Sequence, residues 1–241
     1  MTLRVGLDMD GVIADFRTMF RETARGFSSE ARDLSADASP TEALDAAGLK
    51  LAWKEVSTCE NWWTRLRPFE PDQIKRLYAL ARQLKWEVFF LTKRPGTTGD
   101  SVQFQTQWWL EQYGFYLPSV LTVLGSRGEI ANALRLDVVV DDQQMNCIEV
   151  ISASATKALL MLRDPAAGIE RDRAINRGIG VVSTLQEAID VFERLHEILP
   201  GRHGRLMRLV DWFPGAKKDE PHLPIDPRTP HPIPDAPKKI R

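Results

Sequence analysis

The sequence predicts an α/β fold in which a parallel sheet is flanked by helices. Short apolar runs rich in β-branched or aromatic residues recur along the chain, and polar residues followed by a helical pattern separate them. This alternation is typical of βα units on a parallel sheet. We expect strands at residues 3–7, 88–91, 120–124, 138–140, 158–162 and 180–182.

Apolar residues at helical spacing predict two helices between and after these strands. One contains Ile74 to Leu84, and the other runs from Leu185 to Leu199. Thr184 lies three residues before Glu187. This is a capping-box pattern, in which each side chain satisfies a free backbone amide at the helix start.

Two regions interrupt the alternation and define the expected domains. Residues 15–70 contain no good strand, so they are expected to form a helical insertion into a core made of residues 1–14 and 71–200. Residues 201–241 are basic and then proline-dense, since eight of the 15 prolines lie between Pro214 and Pro237. Proline opposes both helix and sheet, which predicts an extended tail. The alternative is an arm that docks on another subunit and makes a homo-oligomer.

Composition excludes several classes of protein. The 32 Lys and Arg residues against 33 Asp and Glu residues leave a net charge of -1, which excludes the strongly basic surface of a general nucleic-acid coat protein. Cys59 and Cys147 are too few for a disulfide framework and lack metal-ligand spacing. No apolar run approaches the roughly 18 residues of a membrane helix, and charge interrupts the first residues where a signal peptide is apolar. We therefore expect a cytoplasmic protein with no membrane partner.

Acidic residues end the first and fourth predicted strands. Asp8 and Asp10 are two positions apart, so on an extended backbone they project to the same side while Met9 faces the core. Asp141 and Asp142 are adjacent. Adjacent residues point to opposite sides, so we expect only one of these two to face a metal directly unless the backbone turns between them.

These acids predict a magnesium site. The carboxyl ends of parallel strands meet in one crevice, where several carboxylates repel one another and need a cation. A set of oxygen ligands without nearby His or Cys favours Mg²⁺, whose remaining waters a phosphate can replace. In phosphoryl chemistry Asp8 would be the nucleophile, Asp10 an acid and then a base, and Thr92 a hydroxyl donor to a phosphoryl oxygen.

The ordered motifs resemble those of the haloacid dehalogenase (HAD) superfamily of phosphohydrolases. The resemblance spans about residues 3–195 and rests on the run Asp8-Met9-Asp10-Gly11-Val12, on Leu91-Thr92, on a basic residue at Arg127, and on Asp141-Asp142 with Asn146. The superfamily usually carries Lys where Arg127 stands.

The resemblance implies a role for each of these residues. It implies a Rossmann-like HAD core with residues 15–70 as a small helical cap, and an aspartyl-phosphate on Asp8 with Asp10 as acid and base. It also implies Mg²⁺ bound by the Asp8 side chain, the Asp10 carbonyl and Asp142, with the other acid, Asp141, in support. Phosphate would be held by Thr92, Lys93 and Arg127.

A narrower resemblance points to nucleotides. The run from Asp10 to Phe16, the segment Asn61-Trp62-Trp63 before Leu66-Arg67-Pro68, and Arg163-Asp164-Pro165 resemble the 5′(3′)-deoxyribonucleotidase branch. This implies a nucleoside monophosphate as substrate, with Phe16, Trp62 and Trp63 near the nucleoside. For the two tryptophans, packing in the core is the alternative.

The pair Lys93 and Arg94 leaves the substrate open. It could engage a second phosphate or a polynucleotide backbone, or it could lie in a solvated loop. The alternatives to a nucleotidase are therefore a HAD phosphatase for another small phosphoester, a nucleic-acid end phosphatase, and a catalytically idle binding module.

Overall fold

The computed structural model describes residues 2–25 and 46–198. Every described residue belongs to one unit of the chain, Met1–Gly201. The small polar stretch of the predicted insertion, residues 28–41, and the predicted tail lie outside the described residues.

The described residues contain one parallel sheet, as the sequence predicts. Its spatial order is β3-β2-β1-β4-β5-β6, and all neighbouring strands are parallel. Each observed strand lies within two residues of its predicted ends. The strands are β1 (Arg4–Asp8), β2 (Glu87–Thr92), β3 (Ser119–Thr122), β4 (Val138–Asp141), β5 (Lys157–Met161) and β6 (Gly180–Val182).

Helices connect the strands and cover both faces of the sheet. Within the described ranges they are α1 (Phe16–Ala24), α2 (Ala46–Thr58), α3 (Pro71–Leu84), α4 (Val102–Gln112), α5 (Arg127–Ala133), α6 (Gln144–Ala153), α7 (Gly168–Ile175) and α8 (Leu185–Ile198), with a short 3-10 helix at Trp62–Arg65. Both helices expected from apolar spacing are present as α3 and α8. None of the helices in the described part of the chain could cross a bilayer.

The starts of α3 and α8 show why the chain forms helices there. Pro71 begins α3, where its missing amide costs nothing. At α8, Thr184 Oγ1 accepts a hydrogen bond from the amide of Glu187 at 3.1 Å, as the capping box predicts. The reciprocal bond differs from that pattern, because the Glu187 carboxylate accepts from the amide of Ser183 at 2.7 Å.

Alternate residues of the central strands face two hydrophobic clusters. Val138 and Val140 belong to a cluster shared with α1, α2, α3, α4 and α8, whereas Val139 belongs to a second cluster shared with α5, α6 and α7. Burial on both faces is the reason that these strands read as continuous apolar runs. The carboxyl ends of β2, β1 and β4 are neighbours along one edge of the sheet.

Candidate active site

Three carboxylates meet at the carboxyl edge of the sheet. Asp8 ends β1 and Asp141 ends the neighbouring strand β4. One oxygen from each of Asp8, Asp141 and Asp142 lies within 4.8 Å of the others. The strand ends at Asp141, so the backbone turns there, and both adjacent acids join the group. This is the exception expected from the sequence, in which a turn between the adjacent acids lets both lie at one site.

Burial and mutual repulsion raise the pKa values of this group. Burial, followed by the negative charge of Asp141, raises the pKa of Asp8 well above its ordinary value. Burial also raises the pKa of Asp141, although the Arg127 guanidinium opposes it. The pKa of Asp142 rises to about 6 through burial and the charge of Asp141. A buried set of oxygen donors under such repulsion fits a hard divalent cation such as Mg²⁺.

The turn after Asp10 depends on a glycine. Gly11 has a φ of +84°, in the left-handed region, and a Cβ atom at this position would lie 2.2 Å from Asp142 Oδ2. Only glycine adopts this backbone freely and leaves room for the carboxylate. Gly11 therefore lets the loop after β1 pass directly beside Asp142.

Arg127 lies between two of the carboxylates. Its Nη2 donates to Asp8 Oδ1, and its Nε is 3.4 Å from Asp141 Oδ2. The residue is only 5% exposed, so it is not a surface charge at an open helix start. A Cβ atom at Gly128 would lie 2.3 Å from the carbonyl oxygen of Glu149, so this glycine allows α5 to pack against α6 and bring Arg127 to the site.

Two polar groups at the site are buried without partners. Thr92 ends β2 and is 1% exposed. Within the described part of the chain, neither Thr92 Oγ1 nor Arg127 Nη1 has a hydrogen-bond partner. An unpaired buried donor costs free energy, so such groups are expected where a ligand completes their hydrogen bonds.

Asp141 is held by donors on α6 and the turn before it. Its carboxylate accepts from Asn146 Nδ2 at 2.9 and 3.0 Å and from the amide of Gln143 at 2.9 Å. Asp142 accepts from Gln143 Nε2 at 3.1 Å, and Arg17 lies 3.6 Å away on α1. Asp141 is thus suited to hold Arg127, while Asp142 is the freer of the two carboxylates.

Asp10 is separate from the group of three. Its carboxylate accepts two hydrogen bonds from Arg94, from Nε at 2.9 Å and from Nη2 at 2.7 Å. Arg94 is buried and Lys93 is exposed, so the two do not form the joint basic patch considered from the sequence. Sequence reasoning missed this pair, because 84 residues separate its members and no local spacing signals it.

Arg163 holds the backbone of the same turn. It donates to the carbonyl oxygens of Gly11 at 3.1 Å and Val12 at 2.7 Å, and it pairs with Glu70 at 2.9 Å. The Glu70 carboxylate also accepts from the first two amides of α8. The motif Arg163-Asp164-Pro165 was visible in the sequence, but its contact with the turn after Asp10 was not.

The three aromatic residues expected near a nucleoside differ in exposure. Trp62 and Trp63 are 2% and 1% exposed and belong to the core, as the packing alternative predicts. Phe16 is partly exposed, and its ring stacks on that of Trp63 with centroids 5.8 Å apart. Of these three residues Phe16 is the most exposed, although its ring packs against those of Phe20, Trp53, Trp62 and Trp63.

Comparison with known proteins supports the fold. No family model and no curated protein matches the sequence. A solved phosphonoacetaldehyde hydrolase-like protein from Oleispira antarctica matches at 13% identity and a TM-score of 0.50, over 81% of this chain and 93% of that one. A putative beta-phosphoglucomutase from Thermotoga maritima matches at 15% identity and a TM-score of 0.49, over 80% and 99% of the two chains.

A haloacid dehalogenase-like family hydrolase from Xanthomonas campestris matches at 13% identity and a TM-score of 0.47, over 81% of this chain and 98% of that one. Identities this low speak for architecture rather than for activity. The described chain thus has a Rossmann-like α/β fold, and it shares this architecture with the Oleispira antarctica protein.

Proposed function

We propose that the protein is a Mg²⁺-dependent phosphomonoesterase in which Asp8 is the nucleophile. The observation that carries this proposal is the buried group of Asp8, Asp141 and Asp142, which lies at the strand ends with the unpartnered donors of Thr92 and Arg127. Asp8 and Asp142 would hold the ion, and the resemblance adds the Asp10 carbonyl. Bound Mg²⁺ would offset the negative charge of the carboxylates and of the phosphoryl oxygens.

The residues divide the reaction into two steps. An Asp8 oxygen attacks phosphorus, the bond from phosphorus to the ester oxygen breaks, and Asp10 gives its proton to the leaving oxygen. Asp10 then takes a proton from the water that attacks the aspartyl-phosphate, which releases phosphate and restores Asp8. Thr92 and Arg127 donate hydrogen bonds to the phosphoryl oxygens in both steps.

Within this class we propose a nucleoside monophosphate as substrate. Phe16 begins α1 and is partly exposed, and the next residue, Arg17, lies 3.6 Å from Asp142. In this proposal a base contacts the exposed part of Phe16, one residue before Arg17 on α1. Trp62 and Trp63 support Phe16 by packing.

A nucleic-acid end phosphatase is the second candidate. Lys93 directly follows Thr92 and is exposed, and the Arg17 side chain is 45% exposed. Two solvent-exposed cations beside the phosphate site suit a polynucleotide backbone.

The primary test measures phosphate release from 4-nitrophenyl phosphate. We expect release with Mg²⁺, none with EDTA, and a loss of about 10³-fold or more in Asp8→Asn, because no other group replaces the nucleophile. Asp72→Asn is the matched control, since the Asp72 side chain is 89% exposed on α3. Silence of the wild-type protein with both Mg²⁺ and EDTA would favour the idle binding module.

A substrate panel tests the finer assignment. Nucleoside monophosphates should be hydrolysed faster than sugar phosphates, and rates should depend on the base. Equal rates across bases and sugars would reject the nucleotidase. Faster release from an oligonucleotide with a terminal phosphate would select the end phosphatase.

A further inference from the structure

We infer that Arg94 is a positioning residue for Asp10, which fixes the carboxyl group that moves protons in the proposed reaction. The inference rests on the proposed function and adds a residue to it. Arg94 donates hydrogen bonds to both carboxylate oxygens of Asp10, from Nε to Oδ2 at 2.9 Å and from Nη2 to Oδ1 at 2.7 Å. A planar guanidinium that pairs with both carboxylate oxygens restrains rotation of the carboxyl group as well as its position.

Arg94 is itself held on its remaining sides. Its Nη1 donates to Thr106 Oγ1 at 3.0 Å, and this hydroxyl donates in turn to the carbonyl oxygen of Val102 at 2.7 Å. The guanidinium carbon lies 4.8 Å from the ring centroid of Trp63. The arginine side chain is 1% exposed, whereas that of Asp10 is 25% exposed. The rigid partner is therefore the buried arginine, and the accessible partner is the acid.

Trp63 extends this support into the helical insertion. Its Nε1 donates to the carbonyl oxygen of Pro95 at 3.0 Å, and its amide donates to Gln105 Oε1 at 3.2 Å. Its ring stacks on Phe16 at the start of α1. The orientation of Asp10 is thus tied through Arg94 to the aromatic residues that begin the insertion.

Two other roles for Arg94 fit the contacts less well. A phosphate-binding arginine would direct its fork toward the three carboxylates and Thr92, but the fork of Arg94 is directed at Asp10. A purely stabilising role is weak, because desolvation of two charges offsets most of their attraction and apolar packing of similar volume does as well. Control of the Asp10 orientation accounts for a buried arginine that pairs with both oxygens of a partly exposed acid.

The inference predicts an effect that depends on the leaving group. An alkyl phosphate needs a proton from Asp10 as its ester bond breaks, whereas 4-nitrophenolate leaves well without one. We expect Arg94→Met to lower kcat/KM about 10²-fold on a nucleoside monophosphate and less than about 10-fold on 4-nitrophenyl phosphate, within the range of general acid catalysis. Guanidinium ion in the buffer should restore part of the loss.

A double-mutant cycle with Asp10→Asn is the decisive experiment. If Arg94 acts through Asp10, then Arg94→Met lowers kcat/KM for a nucleoside monophosphate in the wild-type background and has no further effect in the Asp10→Asn background. Arg76→Met is the matched control, because Arg76 also pairs with carboxylates, those of Asp190 and Glu193, but lies away from the site. Arg76→Met should leave kcat/KM unchanged in both the wild-type and the Asp10→Asn backgrounds.

The outcomes separate this inference from the proposed function. Equal losses on the two substrates, or the same loss with and without Asp10, would overturn the role of Arg94 and leave the phosphatase intact. A wild-type chain that releases no phosphate would overturn both. Should Arg94→Met fail to fold, Thr106→Val keeps Arg94 and removes the hydroxyl that accepts from its Nη1 and donates to the Val102 carbonyl oxygen. This variant must show the same dependence on the leaving group, or the inference fails.

Discussion

Asp142 is a partly buried acid whose ionisation opposes folding in the absence of a cation. Its pKa is about 6 in the folded protein and 3.8 in the ordinary state, because burial and the charge of Asp141 disfavour the carboxylate. The folded chain binds the proton more tightly than the unfolded chain. The proton on Asp142 therefore contributes to the free energy of unfolding at low pH, and this contribution is lost as the pH rises through about 6.

We expect Asp142→Asn to stabilise the metal-free protein at about pH 7 by up to about 3 kcal/mol and to leave it unchanged at about pH 4, where Asp142 is neutral. Asparagine mimics the neutral acid without its ionisation. Urea unfolding in EDTA at the two pH values measures the difference. Asp72→Asn serves as the exposed control, and an equal effect of Asp142→Asn at both pH values would contradict the expectation.

Gly11 and Gly96 form a matched pair of glycine positions. An alanine Cβ at Gly11 would lie 2.2 Å from Asp142 Oδ2, and alanine would have to adopt a φ of +84°. Nothing lies within 4 Å of a Cβ atom at Gly96. Gly11→Ala should lose about 1–3 kcal/mol of stability and also the rise in Tm that Mg²⁺ causes in the wild-type protein. Gly96→Ala should keep both. Thermal unfolding with and without Mg²⁺ tests this, and an unchanged Mg²⁺ shift in Gly11→Ala would count against the site.

The start of α8 joins separate parts of the chain. Its first amides are satisfied by Thr184 and by Glu70, and Glu70 also pairs with Arg163 beside the turn after Asp10. The helix start is thus connected to the candidate site through one carboxylate and one guanidinium.

Removal of the Thr184 hydroxyl should weaken this start without reaching the site. Thr184→Ala is expected to cost about 1 kcal/mol, which is the usual contribution of a helix cap. Thr184→Ser keeps the acceptor and should cost much less. Chemical denaturation of the two variants measures the difference, and equal losses would show that the hydroxyl does not cap α8.

The strands and their acids were predictable for a definite reason. Strands buried on both faces appear as short apolar runs, so Val138 to Val140 identifies β4 and the acids after it follow. Whether Asp141 and Asp142 would lie at one site stayed open, because it depends on the residue at which the strand ends. The pairing of Arg94 with Asp10 depends on side-chain direction across two loops, which local periodicity does not encode.

The whole first unit, Met1–Gly201, contains both hydrophobic clusters and all residues of the candidate site. A chain ended after Gly201 should therefore unfold at the same temperature as the full chain and hydrolyse 4-nitrophenyl phosphate at the same rate. Light scattering of both chains tests the predicted role of residues 201–241 in oligomer formation. A large fall in Tm would show that the first unit depends on the residues after it.

The central position of β1 affects how the protein is made. Val5 pairs with Val88 on one side and with Val138 on the other, so both partners are synthesised well after the strand itself. Such distant pairing slows folding, since long stretches of chain must be ordered before contacts form. On the ribosome, the strand that carries Asp8 is therefore made before either neighbouring strand, and the group of three carboxylates is complete only after Asp142 has emerged.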